Sequence, residues 1–279
     1  MNKLILVEGI PGSGKTTISR KIADYLGKSI KTTLYNEGQM HPADLAWCAC
    51  IPEGDYEGII KTYPQYENPI RENTWFEDGY AIVAYIQFPI EDQKLYAILE
   101  GYEVYDGKAG LEVFTGLHAK RWRRFSEQAG KQNGITVFEC SFLQNHINEL
   151  LLFHNLDEDT IIKHLCSLID SVRTLNPVLF YLVQPCVRET IARVSAQRVD
   201  EEGRRVWMER VIQYTEKCPY GLKNGLKGFD GMVKAFEDRK RIEMRVIREL
   251  PIETHIIDNP DYDWDKVWGE VEKKLKAML

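Results

Sequence analysis

The chain has 279 residues, a formal net charge of −6 and 44% hydrophobic residues. This hydrophobic content is sufficient for the core of one large or two small domains. The acidic balance excludes a general nucleic-acid-binding protein, because phosphate backbones attract basic surfaces. No apolar run reaches the roughly 18 residues that a membrane-spanning helix needs, so we expect no membrane association.

The six cysteines are scattered along the chain and form no C-x-x-C pair. The sequence also shows no signal peptide at its start. Together these features predict reduced thiols and a cytoplasmic location, because disulfides persist mainly in oxidising compartments.

A short apolar run, a glycine-rich loop and an amphipathic helix open the chain. Residues 3–8 have the composition of a buried parallel strand. Residues 9–16 read GIPGSGKT and match the phosphate-binding pattern G-x-x-x-x-G-K-[ST]. Ile18, Ile22 and Leu26 then recur at helical spacing. A chance match is disfavoured because the motif lies between a strand and a helix, as phosphate binding requires.

The glycine loop predicts a binding site for the phosphate groups of ATP. Glycines let backbone N–H groups approach phosphate oxygens closely, and the helix N-terminus adds a positive partial charge. We predict that Lys15 reaches the β- and γ-phosphates as a catalytic residue and that the Thr16 hydroxyl holds Mg²⁺. The predicted nucleotide-binding residues are Gly9, Pro11, Gly12, Ser13, Gly14, Lys15, Thr16 and Thr17.

Strand and helix patterns alternate in most of the remaining chain. Strands are predicted at residues 31–36, 135–141, 177–183 and 253–258. Helices are predicted at residues 157–175, 187–198, 207–216, 232–250 and 264–279. The first of these helices begins at a capping residue, Asp157, and residues 218–228, with three glycines, are predicted as a loop. The alternation predicts a parallel sheet with helices on both faces.

Residues 48–133 interrupt this alternation, and we interpret them as an inserted substrate-binding lobe. Just before the lobe, Pro42 favours the first turn of a helix that extends through Trp47. Within it, residues 74–85 predict a hairpin that turns at Asp78-Gly79. Helices are predicted at residues 93–100 and 111–128. The tyrosines of the lobe either form its core, which is the favoured interpretation, or line an acceptor pocket: Tyr80, Tyr85, Tyr96, Tyr102 and Tyr105.

Two acids follow predicted parallel strands, and ligands of such sheets bind beyond the carboxyl ends of the strands. Glu37 ends the second core strand and Glu139 ends the third. We predict that Glu139 is a Walker-B-like ligand of Mg²⁺ and that Glu37 is the general base for a substrate hydroxyl. For both carboxylates, a helix-capping or solvated acid is the alternative.

Arginines form two groups. Residues 188–230 are predicted to form a lid, in which Arg193 and Arg198 are catalytic residues that neutralise the transferring phosphoryl group. The alternative is a solvated basic helix that pairs with the acids at positions 200–202. For the second group, Arg121, Arg123 and Arg124, a solvated helix face is favoured over contact with the acceptor.

The sequence resembles P-loop kinases of the nucleoside and nucleoside-monophosphate kinase group, which includes thymidylate kinase. The features that carry the resemblance are the glycine loop, Glu37, the Glu139-Cys140-Ser141 stretch and the Arg193 and Arg198 pair. The resemblance implies one P-loop kinase domain over residues 1–279, with the three-layer α/β fold of P-loop NTPases. It implies a five-stranded parallel sheet of order 2-3-1-4-5, a lid over the phosphates, and ATP with Mg²⁺ as the donor. Cys140 departs from the Asp-Arg-Ser triplet of the deoxyribonucleoside kinases, where an arginine follows the acid.

The predicted function is transfer of the γ-phosphoryl group of ATP to a small-molecule hydroxyl or phosphate. The acceptor is a nucleoside, a nucleotide, a sugar or an antibiotic-like compound. The alternative is a nucleotide-binding ATPase that acts as a sensor or switch, with the charged helix at residues 232–250 as its partner surface. A regulatory GTPase is disfavoured, because the chain has no Asn-Lys-x-Asp motif. The sequence leaves open the choice between ATP and GTP and the formation of a homodimer.

Overall fold

The computed structural model describes residues 2–278. The chain forms two compact units. Unit 1 consists of Met1–Glu37 and Arg123–Leu279, and unit 2 consists of Gly38–Trp122. No helix formed by residues 2–278 has both the length and the apolar character needed to span a membrane.

Strands and helices alternate along most of the chain. The strands are β1 (Leu4–Gly9), β2 (Thr32–Tyr35), β3 (Ala49–Pro52), β4 (Thr74–Glu77), β5 (Tyr80–Val83), β6 (Ile135–Glu139), β7 (Val178–Val183) and β8 (Glu253–Asp258). The α-helices are α1 (Lys15–Gly27), α2 (Glu53–Thr62), α3 (Glu67–Glu72), α4 (Gln93–Gly101), α5 (Leu111–Lys131), α6 (Gln144–Asn148), α7 (Glu158–Ser171), α8 (Val187–Gln197), α9 (Val206–Lys217), α10 (Pro219–Asn224), α11 (Gly228–Glu249) and α12 (Trp264–Met278).

Unit 1 contains a five-stranded sheet of order β2-β6-β1-β7-β8, in which all neighbouring strands are parallel. Counting only the core strands, this order is 2-3-1-4-5, so the predicted topology is confirmed. Leu6 in the central strand lies opposite Phe138 on one side and Leu179 on the other. Since the strands are parallel, their carboxyl ends share one edge, where β1, β2 and β6 end close to one another.

One face of this sheet packs against α1 and α12. Ile18, Ile22 and Leu26 of α1 are buried against β-strand side chains, and α12 contributes Val267 and Val271. The helical spacing of these residues forms an apolar stripe, and each fully buried side chain contributes about 1.5–3 kcal/mol. This packing fixes the start of α1 next to the carboxyl end of β1.

The helix predicted at residues 157–175 is confirmed as α7, and the Asp157 carboxylate accepts a hydrogen bond from the Thr160 backbone N–H at 2.9 Å. The loop predicted at residues 218–228 is wrong in part, because Pro219 begins the short helix α10. The glycine that suggested a loop has a packing role. A Cβ on Gly221 would lie 1.7 Å from the Thr215 backbone oxygen, so only glycine fits there.

Unit 2 contains an antiparallel sheet of order β3-β5-β4. The predicted hairpin is confirmed: β4 and β5 pair, and Asp78 and Gly79 both have positive φ, 55° and 81°. Such angles are typical of the tight hairpin turns that match strand twist. No pattern in the sequence predicted β3, α2 or α3. The core of unit 2 includes Tyr85, whose hydroxyl donates a hydrogen bond to Glu103, and Tyr96 packs against its ring. These two tyrosines are therefore core residues.

The helix predicted at Pro42 is wrong, since residues 41–48 contain no helix. Instead, His41 Nδ1 accepts hydrogen bonds from the backbone N–H groups of Ala43 and Asp44, at 3.1 and 2.8 Å. Trp47 has φ 65°, which lies outside the right-handed helical region. A side-chain acceptor thus satisfies the N–H groups that a first helical turn would leave exposed.

The solvated-face interpretation is wrong for Arg121. Its side chain is 9% exposed, and one terminal nitrogen donates a hydrogen bond to the His41 backbone oxygen at 2.8 Å. The guanidinium also lies 4.7 Å from the centroid of the Trp75 ring. Arg123, by contrast, is exposed as predicted.

Candidate active site

The glycine loop connects β1 to α1 and requires glycine at two points. Gly9 has φ 147°, and a Cβ there would lie 2.5 Å from the Leu182 backbone oxygen. Gly14 precedes the first residue of α1 with φ 94°, and a Cβ there would lie 2.2 Å from the Trp264 ring. Both positions combine left-handed backbone geometry with close packing, so the loop conformation depends on the glycines of the motif.

Side chains of the loop turn toward its own backbone. Lys15 is 6% exposed, and its Nζ donates a hydrogen bond to the Ile10 backbone oxygen at 3.3 Å. The Ser13 backbone N–H donates to the same oxygen at 3.1 Å. Ser13 Oγ is buried without a hydrogen-bond partner among residues 2–278. The loop therefore offers an ammonium group, a hydroxyl and the N–H groups of the α1 N-terminus to an anion.

The two acids predicted from strand ends lie together beside this loop. Glu139, at the end of β6, is 3% exposed. Its Oε1 accepts a hydrogen bond from the Thr16 hydroxyl at 3.0 Å, and its Oε2 accepts one from the Glu37 backbone N–H at 3.1 Å. Thr16, Glu37 and Glu139 thus form one cluster of oxygen atoms at the carboxyl edge of the sheet.

This cluster has the ligand chemistry of a magnesium site. The ligand atoms of Glu37, Glu139 and Cys140 lie within 4.8 Å of one another. Mg²⁺ prefers hard oxygen ligands, which both carboxylates and the nearby Thr16 hydroxyl supply. Burial raises the pKa of the Cys140 thiol well above its ordinary value, and sulfur is a soft ligand that Mg²⁺ disfavours. The oxygens fit the ion, and the thiol does not.

Glu8 is a buried acid of the site that the sequence analysis missed. It is 1% exposed, and its carboxylate accepts hydrogen bonds from the backbone N–H groups of Phe142 at 2.8 Å and Gln144 at 3.3 Å. Burial raises its pKa to about 7, although the hydrogen bond from the Phe142 backbone N–H and the Lys15 charge act in the opposite direction. An acid directly after the apolar residues of β1 was the signal available in the sequence.

Gln144 is the second residue that the sequence analysis missed. Its side-chain Nε2 donates a hydrogen bond to Glu37 Oε1 at 3.3 Å. Gln144 begins α6, which has five residues and is therefore too short for a helical periodicity to reveal. No pattern in the sequence could have placed this amide beside Glu37.

The predicted lid arginines lie on or at the end of α8, which packs against the loop. A Cβ on Gly12 would contact Thr190 and Val194 of this helix at 3.3 and 3.2 Å. Both guanidinium groups, however, stack on aromatic rings: that of Arg193 lies 3.6 Å from the Tyr262 ring centroid. That of Arg198 lies 4.9 Å from the Trp207 ring centroid. Helix α8 thus packs against the loop, whereas the two guanidinium groups contact aromatic rings. The catalytic role of Arg193 and Arg198 stays a prediction.

Comparisons with known proteins give a resemblance in fold. No protein-family model and no curated protein sequence match the chain. The crystal structure of thymidylate kinase from Ehrlichia chaffeensis aligns at 16% identity over 99% of this chain and 98% of its own, with a TM-score of 0.44. Thymidylate kinase from Candida albicans aligns at 14% identity over 99% of this chain and 92% of its own, with a TM-score of 0.39. The strand order and the glycine loop, rather than these alignments, give unit 1 the P-loop NTPase fold, and two of the solved structures to which the chain is similar are thymidylate kinases.

Proposed function

We propose that the protein transfers the γ-phosphoryl group of ATP to a hydroxyl or phosphate group of a small molecule. The observation that carries this proposal is the cluster of Thr16, Glu139 and Glu37 beside the glycine loop. The Thr16 hydroxyl and the Glu37 backbone N–H bind the two oxygens of the same carboxylate, at 3.0 and 3.1 Å. Phosphoryl transfer needs a phosphate cradle, a magnesium site and a group that orients the acceptor, and this cluster supports all three at one edge of the sheet.

Each group of the site has a distinct proposed role. The loop N–H groups and Lys15 bind the phosphates of ATP, with Pro11, Gly12 and Thr17 among the contact residues. Thr16 and Glu139 hold Mg²⁺, which neutralises charge on the phosphates when it is bound. For a hydroxyl acceptor, Glu37 takes the proton while the oxygen bonds to the γ-phosphorus and ADP leaves. Arg193 and Arg198 leave their aromatic rings to neutralise the transferring group.

The acceptor belongs to the classes that the sequence analysis left open: nucleoside, nucleotide, sugar or antibiotic-like compound. An exposed Glu37 carboxylate beside the buried Glu139 supports a hydroxyl acceptor, because a phosphate acceptor has no proton that a base must remove.

The sensor or switch alternative depended on α11 as a partner surface. Several charged side chains of this helix instead pair within unit 1. Arg241 pairs with Glu158, and Arg245 lies 2.6 Å from Asp159, so α11 is tied to α7. Arg239 is buried and pairs with Glu243 at 2.9 Å. These contacts occupy part of the charged surface on which the switch alternative depends, so they favour the transferase.

A phosphorylation assay with a panel of small molecules tests the proposal. We expect ADP release that depends on one class of acceptor, with Mg²⁺ present and a product heavier by one phosphoryl group. Calorimetry with ATP and with GTP, both in the presence of Mg²⁺, identifies the donor. Slow hydrolysis that no acceptor accelerates would instead support the switch, and binding of neither nucleotide would contradict both functions.

A further inference from the structure

Gln144 presents an amide whose orientation is fixed by a carboxylate. Its Nε2 donates to Glu37 Oε1 at 3.3 Å. Because a carboxylate only accepts hydrogen bonds, the amide nitrogen must face Glu37 and the amide oxygen must face away from it. Gln144 is 8% exposed, and its Oε1 has no hydrogen-bond partner among residues 2–278. A buried acceptor without a donor is unfavourable, so this oxygen is suited to a donor on a bound ligand.

The first residue of α6 is held by a buried acid. Glu8 Oε2 accepts the Gln144 backbone N–H at 3.3 Å, and Glu8 Oε1 accepts the Phe142 backbone N–H at 2.8 Å. Both bonds run to the backbone, so they persist when the Gln144 side chain is changed. The start of α6 is therefore fixed to β1 independently of the amide.

The last residue of α6 is held by a second buried polar network. Asn148 Oδ1 accepts a hydrogen bond from Arg239 at 3.4 Å, and Arg239 pairs with Glu243 at 2.9 Å. The Tyr181 hydroxyl donates to Glu243 at 2.6 Å, which ties this network to β7. Shifting the end of α6 would remove this acceptor from the buried Arg239 guanidinium, which is unfavourable for a buried cation. Both ends of the helix that carries Gln144 are thus fixed to the sheet.

We propose that Gln144 is a positioning residue for phosphoryl transfer, which holds the Glu37 carboxylate in place and offers its amide oxygen to the acceptor. The acceptor is then a small molecule with a second hydrogen-bond donor, a hydroxyl or an N–H, close to its reacting hydroxyl. Glu37 is exposed, and without Gln144 its carboxylate has greater rotamer freedom. This inference rests on the proposed function, because it concerns Glu37 as the base of that reaction.

A structural test needs no acceptor. Gln144→Met keeps the length of the side chain and removes both hydrogen-bonding groups, while the backbone bond to Glu8 remains. We expect a crystal structure of this variant to show α6 unchanged and the Glu37 carboxylate displaced or spread over several rotamers. A Glu37 carboxylate in its original position would overturn the positioning role, whatever the protein phosphorylates. Gln144→Glu, which has the same shape and cannot donate, is the second variant in case the first does not fold.

A kinetic test separates positioning from structural support. For Gln144→Met we expect kcat to fall by about 10- to 100-fold, as for other groups that orient a reactive residue, with KM for ATP within about twofold of the original value. Gln128→Met, an exposed glutamine on α5, is the matched control and should keep the original kcat. An unchanged kcat in Gln144→Met would overturn the proposal, while no transfer by the original protein would contradict the proposed function instead.

A selectivity test addresses the contact with the acceptor. The probes are ribonucleosides and their 2′-deoxy and 3′-deoxy counterparts, each pair differing by one hydroxyl. We expect the original protein to favour one member of a pair by at least about tenfold, and Gln144→Met to lose that preference. The same preference in both proteins, or no preference in the original protein among nucleosides that it phosphorylates, would overturn the contact between Gln144 and the acceptor.

Discussion

The glycine-loop edge of unit 1 and the predicted lid region, residues 188–230, hold their candidate functional side chains in opposite ways. At the loop edge, Lys15, Glu139 and Glu8 are 6%, 3% and 1% exposed and bind neighbouring backbone or side-chain groups. In the lid region, Arg193 and Arg198 are exposed and rest on aromatic rings. Exposed cation–π contacts contribute only about 0.5–1 kcal/mol each. The loop edge is therefore preorganised, whereas the arginines can change position at little cost.

Removing the loop ammonium should have the largest effect. For Lys15→Ala we expect no measurable phosphoryl transfer, because the proposed role of its ammonium group is to bind the β- and γ-phosphates. A coupled assay for ADP release measures this, and circular dichroism checks that the fold survives. Lys28→Ala, at the exposed end of α1, is the control. Full turnover by Lys15→Ala would reject the assignment of the loop.

Removing Arg193 and Arg198 should have the second-largest effect. We expect the double variant Arg193→Ala with Arg198→Ala to lose about 10³- to 10⁵-fold in kcat, the range for arginines that neutralise a transferring phosphoryl group. Unfolding in denaturant should change little, because both side chains are exposed. Arg204→Ala, which breaks exposed pairs with Asp200 and Glu202, is the control and should keep its kcat. If the double variant retains its kcat, the two arginines have no catalytic role.

Neutralising the proposed base tests the loop edge itself. For Glu37→Gln we expect kcat to fall by about 10²- to 10⁴-fold, the usual contribution of a general base. Affinity for ATP, measured by calorimetry, should stay within about threefold, because Glu37 lies beside Glu139, the proposed metal ligand, rather than on the glycine loop. An equal loss of rate and of ATP affinity would mean that Glu37 binds the nucleotide and is not the base. Glu201→Gln, in the exposed part of the lid region, is the control.

The buried acid Glu8 should affect the pH dependence of the free energy of unfolding rather than the rate of turnover. Burial raises the pKa of Glu8 from 4.5 to about 7, so the folded protein retains a proton that the unfolded chain releases. The stabilisation is complete below pH 4.5 and is lost as the pH rises to about 7. At 1.36 kcal/mol per pKa unit, the free energy of unfolding should fall by roughly 3 kcal/mol over this interval.

Glu8→Gln should remove this component of the pH dependence. Denaturant unfolding of both proteins at several pH values between 4.5 and 8 gives the comparison, and the difference between the proteins isolates Glu8 from other titrating groups. Parallel pH profiles would show that Glu8 titrates normally in the folded protein.

The sequence predicted the elements whose signals are local. The strand, glycine loop and helix at the start of the chain were correct, because each has its own composition and the order of the three is fixed by the motif. The hairpin prediction at Asp78-Gly79 was correct because a tight turn needs positive φ at both central positions, and Asp and Gly adopt such angles readily. The helix predicted from Pro42 was wrong, because the His41 ring nitrogen accepts the hydrogen bonds of the backbone N–H groups that follow. The loop predicted around Gly221 was wrong in part, because this glycine is needed for close packing against α9 rather than for a turn.

The candidate site likewise has a part that the sequence predicts and a part that depends on the tertiary structure. Sequence alone determined the phosphate loop and named Glu37 and Glu139, because acids at the ends of parallel strands reach a common edge. Only the tertiary structure showed that Glu139 bridges Thr16 and Glu37, that Glu8 is buried, and that Gln144 contacts Glu37. These contacts join residues more than 100 positions apart, and no local propensity or spacing encodes such a distance. Local patterns determine which segments form strands, loops and helices, whereas long-range packing decides which side chains meet and in what electrostatic environment.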